Sequence, residues 1–144
     1  MVFPLPRFSS SFKQRVVAPN KYYAIDNGLR RANSPQISPD LGNRLENAVF
    51  LALRRRGVTM AYASERDVWE CDVVTDSEAI QACAELTSFN RERELQGVLR
   101  AATLPGKKRR PLILTLDQRD RIAVAGTVVK VQPAWEWMSR PEAE

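Results

Sequence analysis

The chain has 144 residues and a mass of 16.3 kDa, the size of one domain, and its 44% hydrophobic content suffices for a core. With 22 lysines and arginines against 17 aspartates and glutamates, the net charge of +5 favours an acidic partner. Histidine is absent, so no Ser-His-Asp or Cys-His nucleophile system, histidine base or histidine-ligated metal can be built, and Cys71 and Cys83 alone cannot assemble a zinc module.

The first 37 residues, rich in proline, serine and asparagine, read as an extended arm or linker of turns that wraps a core built by residues 38–144. Within it, Lys21-Tyr-Tyr-Ala-Ile-Asp-Asn-Gly-Leu29 is a strand-like run whose aromatics are the candidates for anchoring the arm. No leader and no apolar run of membrane-spanning length is seen, so the expectation is a cytoplasmic protein with no membrane partner and two free thiols. Ser38-Pro-Asp-Leu predicts a helix start, with Ser38 as N-cap, Pro39 at the first position and Asp40 in the first turn. Leu41, Leu45, Ala48, Val49, Ala52 and Leu53 form one apolar stripe, and Arg54-Arg-Arg-Gly57 ends the helix with cations and a glycine.

Strand-like runs follow at Val58–Ala63, Val68–Thr75 and Ala79–Leu86, and their short polar breaks predict an antiparallel meander. Phe89, Leu95, Val98 and Leu99 then give a second amphipathic helix over Ser88–Leu104, stopped by Pro105-Gly106. Pro111–Leu116 is the kind of run buried on both faces of a mixed sheet, and Arg121–Val131 reads as a hairpin turning at Ala125-Gly126. Pro133-Ala-Trp-Glu-Trp137 is expected to cap the C-terminus, with Trp69, Trp135 and Trp137 as packing residues. The order α-β-β-β-α-β plus a hairpin defines an α/β class in which helices flank a mixed sheet.

The glycines match neither the P-loop nor the dinucleotide-binding pattern, so any ATPase activity would belong to another module. Arg7-Phe-Ser-Ser-Ser-Phe-Lys13, Lys21–Leu29, Leu45–Gly57, Glu70-Cys-Asp-Val-Val74, Ile80-Gln-Ala-Cys83, Arg91-Glu-Arg-Glu94, Leu112–Asp117 and Pro133–Trp137 together resemble one family in order. That family is the C-terminal domain of unknown function carried by archaeal-type AAA ATPases of bacteria and archaea. The resemblance implies a restriction-endonuclease-like PD-(D/E)XK fold. It also implies an ATPase module of the same family, in cis or in trans, as a partner.

A nuclease of this fold needs carboxylates to hold Mg²⁺ and a lysine beside them, in an Asp then Glu-x-Lys pattern whose i, i+2 spacing shares a strand face. By resemblance, Glu46 takes the helix position, Asp72 the strand position, and Gln81-x-Cys83 replaces Glu-x-Lys. Gln81 carries no charge and Cys83 no ammonium, which leaves Asp72 and Glu46 as the metal candidates. The nearest lysines in sequence, Lys107 and Lys108, lie in a loop after the second helix. Without the resemblance, Asp72 reads as a strand-end carboxylate and Glu46 as a helix-surface residue pairing with Arg44 or Arg54. Gln81 and Cys83 read as core or pocket lining.

Three basic groups, Arg54-Arg55-Arg56, Arg91 with Arg93 and Arg100, and Lys107-Lys108-Arg109-Arg110, are candidates for contacting DNA if they share a face; otherwise they are solvated charge. The expected function is a catalytically degenerate nuclease-like module that binds nucleic acid or a partner and needs no cofactor. The alternatives are a Mg²⁺-dependent DNA nuclease using Asp72 and Glu46, or a module that only docks protein.

Overall fold

The computed structural model describes residues 1–28 and 40–141. Its centre is a six-stranded mixed sheet of β3 (Ala61–Glu65), β4 (Trp69–Val74), β5 (Glu78–Ala82), β6 (Arg110–Thr115), β7 (Asp120–Val124) and β8 (Thr127–Pro133), in the order β3-β4-β5-β6-β8-β7. β3, β4 and β5 form the expected antiparallel meander, β5, β6 and β8 run parallel, and β7 pairs antiparallel with β8. Ala125 and Gly126 both adopt positive φ, 48° and 76°, the conformation a tight two-residue hairpin demands.

Helix α2 (Leu41–Arg55) covers one sheet face with the short α4 (Ala134–Met138), and α3 (Arg91–Ala102) covers the other. Alternation along β6 feeds both layers: Leu112 and Leu114 join Val49, Phe50 and Trp137, while Ile113 packs with Val98 and Ala101. The buried positions of α2 are Leu45, Asn47, Val49, Phe50 and Leu53, whereas Leu41 is exposed. Asp40, expected inside the first turn, is itself the N-cap and accepts from Asn43 N at 3.2 Å; the expected cap Ser38 and Pro39 lie outside the described residues. Gly57 (φ 66°) ends the helix as expected, with Gly57 N donating to Arg54 O and Val58 N to Leu53 O, the paired bonds of a glycine C-terminal motif.

Three expectations are corrected. The N-terminal segment holds regular structure: β1 (Val2–Leu5), α1 (Phe12–Val17) and β2 (Lys21–Ala24), the two strands paired antiparallel. Leu5 and Tyr23 enter the core, and Tyr23 stacks on Phe50 with ring centroids 4.2 Å apart. Phe89, counted in the stripe of the second helix, is 99% exposed because α3 starts two residues later, behind Asn90. Trp135 is 59% exposed, so of the two C-terminal tryptophans only Trp137 packs.

Candidate functional site

Two residues two apart on a strand share a face, and that rule builds the site twice. On β2, Lys21 and Tyr23 point toward α2; on β4, Glu70 and Asp72 point toward the same place. Glu46 of α2 completes the group. The Lys21 Nζ lies 3.3 Å from Glu46 Oε1, 2.5 Å from Glu70 Oε1 and 3.5 Å from Asp72 Oδ1, while Tyr23 Oη donates to Glu46 Oε1 at 2.6 Å. β2 is pinned by the buried Asn47, whose side chain accepts from Ala24 N at 2.8 Å and donates to Ala24 O at 3.1 Å, as a neighbouring strand would.

Asp72 is aimed by a β-bulge. Between the pairs Ala61↔Val74 and Ala63↔Cys71, β4 spends three steps where β3 spends two. The ladder to β5 ends at Val73↔Ile80, and two side chains carry the connection onward. Asp72 N donates to Gln81 Oε1 at 2.9 Å, and Ala82 N donates to Asp72 Oδ2 at 2.9 Å. A buried N–H left out of the ladder would be costly unpaired, and Gln81 satisfies it.

Burial, then the neighbouring Glu46, raises Asp72 to a pKa of about 7, with Lys21 and the Ala82 N–H opposing. For Lys21, burial works downward, but Asp72, Glu46 and Glu70 outweigh it and hold the ammonium above its ordinary value. Burial and then Glu46 likewise push the Tyr23 phenol upward. Cys83 is raised to about 12 by burial, then by Glu94 and Asp72, so it remains a neutral thiol beside these carboxylates.

Glu46, Glu70, Asp72, Gln81 and Cys83 line a cleft of about 1210 Å³ between α2, β3, β4 and the start of α3, while Lys21 and Tyr23 line a neighbouring pocket that shares Glu46 with it. Eight of the cleft's lining residues are aspartate or glutamate against three arginines, the reverse of the molecule's overall charge. Glu94, nearly buried, faces it from the first turn of α3 and is held by Arg93 Nη2 at 2.8 Å.

Of the residues expected at the site, Glu46, Asp72, Gln81 and Cys83 come together in this cleft. No lysine next to Cys83 in sequence takes the missing position, as read, but Lys21 arrives from β2, while Lys107 pairs with Asp76 at 3.0 Å, at the β6 N-terminal end. Glu70, Tyr23 and Glu94 were also missed. The i, i+2 pairs Lys21/Tyr23 and Glu70/Asp72 were the available signal, but their convergence depends on a long-range docking. The carboxylates are spread around an ammonium, and among the described residues no three His, Cys, Asp or Glu side chains are grouped to hold a metal ion. Divalent Mg²⁺ would have to share the Glu46 and Asp72 oxygens with that cation, so these residues as arranged do not fit it.

The basic groups do not make one free surface. Arg54 lies over the Phe3 ring, Arg56 donates to the carbonyls of Trp137, Met138 and Arg140, and Arg110 pairs with Glu78. Arg109 is buried, donating to the carbonyls of Thr75, Leu104 and Lys107. Among the described residues, Arg55, Arg91 and Lys108 have no ion pair, ring contact or side-chain hydrogen bond. Among the described residues no helix is long and apolar enough to cross a membrane.

The fold and site thus define a mixed α/β domain with an acidic cleft, three of whose carboxylates, Glu46, Glu70 and Asp72, contact Lys21. A similar protein is the uncharacterized protein MJ1544 of Methanocaldococcus jannaschii, 29% identical over 148 residues covering 95% of this chain and 33% of the relative. The chain therefore spans about a third of the length of the curated relative it matches. No family profile and no solved structure matches the chain.

Proposed function

We propose that this is a restriction-endonuclease-like PD-(D/E)XK domain that has lost its catalytic set and serves as a binding module, the C-terminal accessory domain of an archaeal-type AAA ATPase. The observation that carries the reading is Gln81. At the position of the fold's second carboxylate it is neutral, and its oxygen is committed to the Asp72 N–H at 2.9 Å, inside the bulge. Cys83, at the lysine position, is a neutral thiol. The element order and the placement of Glu46 and Asp72 support the fold assignment. The ATPase link rests on the sequence resemblance.

The charge of the cleft favours a partner protein presenting a cationic group over DNA. A phosphate entering it would meet eight carboxylates against three arginines, and six of the ten basic candidates for DNA contact are engaged within the fold. One observation favours a second reading as a nuclease: Lys21 Nζ stands 3.5 Å from Asp72 Oδ1, a lysine supplied from another element.

The test is fluorescence anisotropy of labelled duplex and branched DNA at low and physiological salt with Mn²⁺, followed by a gel of the same samples. Intact DNA without binding at physiological salt is expected. Salt-sensitive binding abolished by reversing Arg55, Arg91 and Lys108 would transfer the ligand to DNA. Cleavage products lost in Asp72→Ala would overturn the degenerate reading.

A further inference from the structure

We propose that Lys21 is the site's own cation, standing between Glu46, Glu70 and Asp72, so that these three carboxylates are held together without metal. Three carboxylates approaching one point repel one another, and the Asp72 side chain is only 10% exposed, too buried for water to screen it well. A positive group between them offsets that repulsion. The ammonium does so at 3.3, 2.5 and 3.5 Å, contacting all three.

It is a fixed part of the fold rather than a wandering surface lysine. Its strand is clamped by Asn47 on both backbone groups of Ala24, and Tyr23, two residues on, is stacked on Phe50. The Lys21 Nζ also sits 5.5 Å from the centre of the Tyr62 ring, which closes another side. β2, paired with β1, is thereby a component of the site, delivering a single charge through a strand. The inference stands on this geometry and goes beyond the proposed binding role: DNA binding or its absence does not bear on it.

The experiment is thermal unfolding with and without millimolar Mn²⁺, at matched ionic strength, on the wild-type chain, Lys21→Met, Lys21→Arg and the double variant Lys21→Met with Asp72→Asn. The expected wild-type midpoint is indifferent to Mn²⁺. Lys21→Met is expected to melt several degrees lower and to recover saturably with Mn²⁺, and the double variant to lose that recovery. A saturable wild-type response abolished by Asp72→Asn would overturn the inference, because metal and ammonium would then coexist. A Lys21→Met protein that melts like the wild type and ignores Mn²⁺ would also overturn it. If Lys21→Met does not fold, Lys21→Arg decides: a Mn²⁺-indifferent, near-wild-type midpoint supports an internal cation, and failure to fold like Lys21→Met overturns it.

Discussion

Asp72 shows how much one residue's surroundings can reverse an ordinary behaviour. Its carboxyl titrates near 3.9 in an unfolded chain and at about 7 in the fold, chiefly through burial and then Glu46. The folded state therefore binds the proton more tightly. The resulting stabilisation is full below about pH 4 and is lost as pH rises toward 7. Asp72→Asn removes this penalty while keeping an oxygen for the Ala82 N–H, so its melting midpoint relative to wild type is expected to be more favourable at pH 8 than at pH 5, by thermal melts at both. Gly97 makes the complementary point about space. A Cβ there would lie 2.1 Å from Glu70 O, a backbone atom that cannot swing aside. Gly97→Ala is expected to lower stability in urea denaturation by about 1–3 kcal/mol, despite a helix-propensity gain of about 1 kcal/mol.

At the scale of elements, the hinge of the site is the contact between β2 and α2. Asn47 replaces a missing strand for Ala24, and removing it leaves a half-buried N–H and carbonyl without these partners. Asn47→Ala is expected to cost about 1–3 kcal/mol and to raise amide exchange selectively in β1 and β2, read by hydrogen-exchange mass spectrometry. The elements whose partners are close in sequence were legible. The stripe and Gly57 gave α2, the short polar breaks gave the meander, and Ala125-Gly126 gave the hairpin turn. What stayed hidden depends on partners far along the chain. β1, four residues long, pairs with the distant β2, so local propensity had little to report there, whereas β2 falls within the strand-like run read from Lys21. Asn47, polar within an apolar stripe, is buried for the sake of a strand 23 residues away. Glu46 and Asp72 were found by resemblance. Lys21 stands 51 residues from Asp72, with no local pattern to tie the two, and the bulge that turns Gln81 into a backbone partner leaves no compositional mark.

Over the whole molecule, the two core layers enclose both thiols, Cys71 in the strand interior and Cys83 at the wall of the cleft. Burial leads the upward shift of both, Cys83 to about 12, and neither offers thiolate near neutrality. A disulfide reagent at pH 8 is expected to find neither cysteine reactive in the native chain and both in urea, counted from the released chromophore. Charge is also unevenly spread: eight aspartates and glutamates against three arginines line the cleft, while Lys107 and Arg110 pair with Asp76 and Glu78 at the other end of β5 and β6.

The sheet's first edge carries one further meaning. Phe8 N donates to Tyr62 O and Tyr62 N to Pro6 O, so the segment between β1 and α1 lies as a short parallel bridge along β3. The opposite edge, β7, defends itself with its own exposed Asp120 and Arg121. Solubility of the β3 side is therefore lent by the same N-terminal segment that delivers the lysine. A chain cut or displaced ahead of β2 would bare an unpaired strand to its neighbours, coupling loss of the site to self-association.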